Sequence, residues 1–296
     1  MNNSFSSYHP IVQFMYFFSV LIFTMFIMQP FFLVISLIAS LIYAVYLKRK
    51  KALMAIIKFI VPISLLAGLI NPLFNHAGIT ILTYLPDGNP LTLESIIYGA
   101  AAAGMFSSIM LWCMCLRYIM SSDRVIYLFG RAAPKLGLFI SMILRFIPKL
   151  TGQFKKIRAA QRCIGRDIDQ GTIYVRVKNT VRIISALLQW ILENSVDTAD
   201  SMKNKGYGLP HRTAFSLFRI DKRDIISICI ILVADTVIFT AYFSELLEFY
   251  YYPVVTAVGL GLSELIIYIV YTVLCFMPLM SDIKEDRKWN ALRSKI

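Results

Sequence analysis

This chain contains several long apolar runs that are too hydrophobic to face water. A helix needs about 20 mostly apolar residues to cross the ~30 Å hydrocarbon core of a bilayer. Six windows meet this requirement: residues 11–28, 31–47, 53–73, 95–116, 225–244 and 253–280. Only Gln29 and Pro30 separate the first two, which predicts a tight helical hairpin. The pattern therefore predicts an all-α, polytopic integral membrane protein with six transmembrane helices.

The composition supports this prediction and excludes a soluble globular enzyme. Of the 296 residues, 58% belong to the hydrophobic set and 16% are charged. An ordinary soluble domain has roughly 45–50% apolar and about 25% charged residues. The polar side chains of this protein are too few to cover a surface that faces water on all sides.

The position of the positive charges predicts the topology. All 30 Lys and Arg residues fall in three stretches, from Lys48 to Lys58, from Arg117 to Arg223 and from Lys284 to Lys295. Loops 74–94 and 245–252 contain none. The positive-inside rule then places all three stretches and both termini in the cytoplasm, in a multi-pass membrane protein. The net charge of +13 is explained by topology, which weakens a nucleic-acid-binding interpretation.

These features divide the chain into three parts. Residues 1–116 form a predicted N-terminal membrane bundle with four spans, and residues 225–296 form a C-terminal membrane pair with a cytoplasmic tail. Residues 117–224 form a predicted cytoplasmic or interfacial module.

Two long amphipathic helices are predicted within the module. Residues 136–147 are apolar but too short to span, and they precede Pro148, which predicts a separate interfacial helix. From Leu150 to Ile164, apolar residues recur every three or four positions with Lys and Arg between them. A similar period runs over residues 172–204 and predicts a helix about 45 Å long.

Both helices are predicted to end at a glycine with cations nearby. The first end reads Arg162-Cys163-Ile164-Gly165-Arg166 and the second reads Asn204-Lys205-Gly206. A left-handed glycine with cations in the last turn is an ordinary helix end. Two such ends in one cytoplasmic module also suit a subunit that docks on two copies of a soluble partner.

Motifs for catalysis and for cofactor binding are missing from the sequence. No glycine is followed by lysine, so the chain has no G-x-x-x-x-G-K phosphate loop. The three histidines and five cysteines lack the spacing of a metal site, and no catalytic or metal-binding residue and no cofactor is predicted.

Two carboxylates, Asp235 and Glu264, fall inside predicted spans. An ionisable group within a membrane span indicates a proton or cation relay. Alternatively, the two side chains pair with each other or are held by hydrogen bonds in the bundle.

The helix ends resemble a known family, the transmembrane T component of energy-coupling factor (ECF) transporters. The resemblance rests on Ala160-Gln161-x-x-x-Gly165 and on Ala199-x-x-Met202-x-x-x-Gly206-Tyr207, with Arg212-Thr213 downstream. The segment Leu144-Arg145-Phe146-Ile147-Pro148 is also similar to the family. The family's helices end in a small-Arg-small triplet, whereas this chain has Ile164 and Lys205 at the arginine positions.

The resemblance implies a coupling subunit in a prokaryotic cell membrane that is not itself an enzyme. It implies that the two glycine-ended helices dock on two ABC-type ATPase subunits, while the membrane part holds a membrane-embedded substrate-binding S component for a vitamin or another micronutrient. Two other functions stay open: a conventional ABC importer permease, and an integral-membrane enzyme that acts on lipids. The second would need a cluster of acidic groups, for which Asp167, Asp169, Asp197 and Asp200 are the candidates.

Overall fold

The protein is almost entirely helical. The structure is a computed structural model that describes residues 4–84, 89–132, 134–207, 218–244, 246–256 and 261–293. Its α-helices are α1 (Pro10–Phe26), α2 (Pro30–Lys48), α3 (Lys50–Ala55), α4 (Val61–Phe74), α5 (Leu93–Ile119), α6 (Ser122–Ala132), α7 (Pro134–Cys163), α8 (Ile173–Asn204), α9 (Lys222–Phe243) and α10 (Leu262–Arg293). A 3₁₀-helix covers Ser4–Ser7, and a π-helical turn, Ile56–Ile60, joins α3 to α4. The all-α prediction is confirmed.

A short β-hairpin interrupts this pattern between α4 and α5. Strand β1 (Ile81–Tyr84) pairs antiparallel with β2 (Pro90–Thr92). Glu94, in the first turn of α5, accepts hydrogen bonds from the backbone and the hydroxyl of Thr80, which fastens the hairpin to the helix.

Most of the predicted spans coincide with helices that are long and apolar enough to cross a bilayer. These are Pro30–Lys48, Lys50–Phe74, Leu93–Ile119, Lys222–Phe243 and Leu262–Arg293. The first window corresponds to α1, whose 17 residues lie at the lower end of the spanning range, so its crossing stays a prediction. The predicted hairpin is confirmed, because α1 ends at Phe26 and α2 begins with Pro30 at a position that needs no N–H donor.

Two predicted helix boundaries were wrong. Helix α7 continues through Pro148, so the predicted separate interfacial helix does not exist. Pro148 removes one backbone hydrogen bond, but α7 packs on α8 on both sides of it and this packing maintains the helix. Helix α10 begins at Leu262, not at residue 253; residues 250–256 instead form a turn in which the Thr256 N–H donates to the Tyr250 carbonyl (3.0 Å).

By its internal contacts the chain divides into two compact units. One contains residues 1–125 and 218–296, and the other contains residues 126–217. We call them the bundle unit and the coupling unit. The three-part division predicted from the sequence stays a prediction, because it depends on where the bilayer lies.

The core of the bundle unit contains a buried polar network. The indole N–H of Trp112 on α5 donates to Ser36 Oγ on α2 (3.0 Å), and the Thr24 hydroxyl on α1 lies 2.9 Å from the same oxygen. The Tyr271 hydroxyl on α10 lies 3.2 Å from that of Thr24. Each polar group is satisfied within the bundle, as a low-dielectric surrounding requires. The network thereby joins four helices.

The N-terminal segment is fixed to the bundle by its backbone groups. The Phe5 N–H donates to the Asp282 carboxylate (2.7 Å), and the Gln13 amide donates to the carbonyls of Phe5 (2.8 Å) and Tyr8 (3.0 Å). Arg124, just after α5, donates to Gln13 Oε1 (3.1 Å). The buried Gln13 therefore connects the start of the chain to the segment that follows α5.

Helices α4 and α5 approach closely at two glycines. A Cβ atom added to Gly99 would lie 2.4 Å from the Gly68 carbonyl oxygen, whereas one added to Gly104 would meet nothing within 4 Å. We expect Gly99→Ala to destabilise the protein by about 1–3 kcal/mol through overpacking. At about 2–4 °C per kcal/mol, its melting temperature in detergent should fall by several degrees. The control Gly104→Ala should leave it unchanged or raise it slightly, because alanine favours helix. Equal effects of both variants would contradict the close approach.

Candidate functional site

The first coupling-unit helix ends in a left-handed glycine turn. Helix α7 ends at Cys163, and Gly165 has φ +73°. The Gly165 N–H donates to the Arg162 carbonyl (2.9 Å) and the Arg166 N–H donates to the Gln161 carbonyl (2.9 Å). This pair of bonds defines a Schellman motif, in which glycine is favoured because it has no Cβ to strain.

The second helix ends in the same local structure. Helix α8 ends at Asn204, and Gly206 has φ +71°. The Gly206 N–H donates to the Lys203 carbonyl (3.0 Å), and the Tyr207 N–H donates to the Met202 carbonyl (3.1 Å). The two predicted helix ends are confirmed. Arg212 and Thr213, which belong to the resemblance, lie outside the described residues.

At the first end, an ion-pair cluster decides which cation is available. Arg158 Nε lies 2.9 Å from the buried carboxylate of Asp167, and Arg158 also pairs with Asp169. Hydrogen bonds from Arg158 hold the pKa of Asp167 below its usual range. Arg162 lies 3.8 Å from Asp167 with 73% of its side chain exposed, so its charge is partly compensated. Arg166 is exposed and has no ion-pair partner among the described residues, which makes it the freer cation.

At the second end, Lys203 and Lys205 are both exposed, and Lys205 lies directly next to Gly206. Lys205 follows directly after the last helical residue, Asn204, and both side chains are exposed. In the described part of the chain Lys205 forms no ion pair. Cys163 and Ile164 are likewise exposed at the first end, where Ile164 occupies the position of the family's arginine. At each end, an exposed cation without an ion pair among the described residues therefore lies directly next to the left-handed glycine: Arg166 beside Gly165 and Lys205 beside Gly206.

The two helices contact each other at a point remote from both ends. The rings of Phe146 on α7 and Trp190 on α8 stack in parallel with centroids 6.3 Å apart. Lys149 lies over the Trp190 ring (5.4 Å) and donates to Asn194. From Lys149 to Cys163, and from Trp190 to Asn204, each helix runs about 21 Å further at 1.5 Å per residue. Both ends therefore project by similar lengths of helix from the shared contact.

A second contact holds the connection between the helices. The Asn179 amide on α8 is buried and donates to the Asp167 backbone carbonyl (3.2 Å). Asp167 thus binds Arg158 through its side chain and Asn179 through its backbone. This cluster was not predicted from the sequence. The available signal was the Arg158–Asp167 pair on either side of the predicted glycine end.

Helix α8 carries an exposed apolar stripe. Its members recur at four-, three-, four- and four-residue intervals and are between 44% and 70% exposed: Val177, Val181, Ile184, Leu188 and Leu192. Helix α7 exposes a comparable set: Leu136, Phe139, Ile143 and Ile147. Apolar area of this extent indicates a surface that lipid or another protein covers.

The two carboxylates of the predicted spans bind different partners. Asp235 on α9 accepts a hydrogen bond from the Ser19 hydroxyl on α1 (2.6 Å). Glu264 lies in the first turn of α10, where it accepts from the Gly261 N–H (3.1 Å). Glu264 therefore lies in the first turn of α10, because α10 begins nine residues later than predicted, and its position within a span stays a prediction. The described residues contain no group of three or more His, Cys, Asp or Glu side chains arranged for a metal ion.

Comparison with known proteins gives consistent matches. The CbiQ family, described as cobalt transport protein, matches residues 1–215. The energy-coupling factor transporter transmembrane protein EcfT 1 of Listeria monocytogenes is 35% identical over 98 residues, which cover 33% of this chain and 37% of that protein. EcfT of Lactobacillus helveticus is 35% identical over 108 residues (36% and 39%), and EcfT of Streptococcus thermophilus is 31% identical over 113 residues (38% and 43%). The aligned part of this chain spans about two fifths of the length of these relatives.

Proposed function

Since the chain belongs to the CbiQ family of cobalt transport proteins, we propose that it is the transmembrane coupling subunit of an ECF-type importer. In this role it transmits the movement of two ABC-type ATPase subunits to a membrane-embedded S component that binds the substrate. The family is a transport family, and we assign ATP hydrolysis to the partner subunits. The substrate, a vitamin or another micronutrient, would bind to another chain.

One observation carries the proposal: both long helices of the coupling unit end in the same left-handed glycine turn with a free cation. Gly165 and Gly206 differ in φ by only 2° (73° and 71°). Arg166 at one end and Lys205 at the other are exposed. A pair of equivalent ATPase subunits requires two equivalent docking ends, and a glycine allows the partner to approach the backbone closely.

A single helix connects one docking end to the apolar stripe. Helix α8 has 32 residues and carries both the stripe from Val177 to Leu192 and the end at Lys205. Movement of an ATPase at Lys205 is therefore transmitted to the stripe without an intervening joint. We assign the stripe to the S component, whose membrane-embedded surface is apolar.

The proposal includes an orientation in the cell membrane, with both termini and the coupling unit in the cytoplasm. A cysteine introduced at the exposed Thr83 in β1 should react with a membrane-impermeant thiol reagent on intact cells. A cysteine at the exposed Ser201 of α8 should be protected until the cells are opened. Both variants require a background in which the five native cysteines are replaced. Labelling of Ser201→Cys together with protection of Thr83→Cys would show that the orientation is the opposite of the proposed one.

The carboxylate Asp235 gives a prediction about transport. Asparagine can still accept the hydrogen bond from Ser19, so Asp235→Asn should retain nearly all substrate uptake if the carboxylate is structural. Asp235→Leu leaves the Ser19 hydroxyl unpaired and should reduce the amount of folded protein. Uptake per assembled complex is the measurement. A large loss of uptake in Asp235→Asn at normal complex levels would instead support a proton or cation relay.

The proposed function is tested by affinity purification of the chain in mild detergent and identification of the proteins that co-purify. We expect an ATPase with a G-x-x-x-x-G-K motif and a small membrane protein without one. Recovery of the chain with neither would refute the proposal.

A further inference from the structure

A cavity of about 370 Å³ lies at the end of the bundle unit remote from its basic residues. It is open on one side and is lined by the turn between α1 and α2, by Tyr242 near the end of α9 and by the segment after α9. Lys48 lies at the end of α2 and Lys222 at the start of α9, and in each helix this is the end away from the cavity. The volume is in the range typical of sites for small molecules and headgroups.

The first indication of a ligand is an unpaired buried amide. Gln29 lines the cavity with only 3% of its surface exposed. Its Nε2 donates to the Tyr268 hydroxyl (2.6 Å), whereas its Oε1 is buried without a hydrogen-bond partner among the described residues. A buried acceptor without a donor is costly, and a donor group bound in the cavity beside Gln29 would remove this cost.

The second indication is the charge and shape of the lining. The carboxylate of Glu248 lines the cavity and accepts from the Tyr250 hydroxyl (2.6 Å). No Lys or Arg occurs in residues 245–252, so this carboxylate has no cation in its own segment. The rings of Phe26, Tyr242 and Phe249 also contribute to the lining. Two acceptors, one of them charged, together with aromatic rings fit a ligand that carries an ammonium group.

The surroundings of the cavity favour a lipid as the source of this group. Phe26 lines the cavity and is 62% exposed, and Phe243, next to the lining residue Tyr242, is 69% exposed. Such side chains at the end of membrane helices face acyl chains, so a headgroup in the cavity leaves its tails on apolar surface. We propose that the cavity binds the primary ammonium headgroup of a membrane lipid, with Gln29 Oε1 and the Glu248 carboxylate accepting its N–H bonds.

The test measures lipid selectivity of the full chain. The chain is reconstituted in nanodiscs of equal parts phosphatidylethanolamine and phosphatidylglycerol, and the lipid retained after detergent extraction is counted by native mass spectrometry. We expect one retained phosphatidylethanolamine per chain, with an enrichment of about tenfold or more, as hydrogen bonds to a charged group provide. Equal retention of the two lipids would overturn the proposal.

Variants locate the site. Glu248→Gln removes an exposed charge without disturbing the core, and Gln29→Leu removes the buried acceptor; both should abolish the enrichment. Gln29→Glu keeps an acceptor and should retain it. Glu193→Gln, the same chemical change at an exposed carboxylate of α8, is the matched control and should bind like the unmodified chain. Normal enrichment in Glu248→Gln would contradict the proposal, even if Gln29→Leu fails to fold.

A soluble competitor distinguishes the source of the ammonium group. Glycerophosphoethanolamine has the same headgroup without acyl chains and should not displace the retained lipid. Displacement by this compound at concentrations similar to that of the lipid would refute a lipid site, because it would indicate a site for soluble ammonium compounds.

Discussion

Lys205→Glu should abolish substrate uptake and the co-purification of ATPase while leaving membrane insertion intact. Lys205 is exposed directly after α8 and has no ion pair in the described part of the chain, so its charge is available to a partner. Loss of one member of a desolvated charged contact costs roughly 2–5 kcal/mol. The middle of this range lowers affinity by about two to three decades.

Four further variants make this prediction specific. Lys205→Arg should be tolerated or should improve coupling, because the planar guanidinium can donate two parallel hydrogen bonds, as the arginine at this position of the family can. Arg166→Glu should impair the first docking end more than Arg162→Glu, since Arg162 already lies near Asp167. Arg182→Glu, a charge reversal at an exposed position in the middle of α8, should have little effect. If the combined variant Lys205→Glu/Arg166→Glu shows normal ATPase recovery and uptake, the two glycine turns are ordinary helix ends without a docking role.

The double variant Ile184→Asp/Leu188→Asp should separate the two partner interactions. Both side chains belong to the exposed stripe of α8, and burying each of them stabilises a contact by roughly 1.5–3 kcal/mol. Together they correspond to a loss of more than about a hundredfold in affinity. The S component should therefore be lost from the purified complex, and uptake with it, while the ATPases remain bound.

The matched control for the stripe is Ser185→Asp/Gln189→Asp. It introduces the same two charges one position further along α8, at exposed residues outside the stripe. This control should retain the S component. If the stripe variant keeps the S component at the level of the control, the stripe contacts lipid and the assignment of this surface is wrong.

Local chemistry explains why the helix ends could be predicted from the sequence. Glycine is the residue for which a left-handed conformation has little cost, so an amphipathic period that stops at Gly165 or Gly206 already marks a Schellman turn. The hairpin between α1 and α2 was predictable for a similar reason, because Pro30 begins a helix without needing a donor. In each case neighbouring residues determine the structure.

Tertiary contacts explain what could not be predicted. The continuation of α7 through Pro148 depends on stacking between Phe146 and Trp190, which lie 44 positions apart. Whether Arg162 or Arg166 is the free cation depends on the position of the Asp167 carboxylate, which lies near Arg162. The turn that replaces the predicted start of α10 depends on a hydrogen bond between Thr256 and Tyr250. Hydropathy and periodicity carry no information about these contacts.

The central claim is that both glycine-ended helices dock on ATPase subunits, and site-specific cross-linking in living cells tests it most directly. A photoreactive amino acid is incorporated at the exposed Ile164, at Lys205 and, as a control, at the exposed Arg182, and the cross-linked proteins are identified by mass spectrometry. The account predicts cross-links to an ABC-type ATPase from both Ile164 and Lys205 and none from Arg182. Cross-linking of neither helix end to an ATPase, in cells that transport substrate normally, would contradict it.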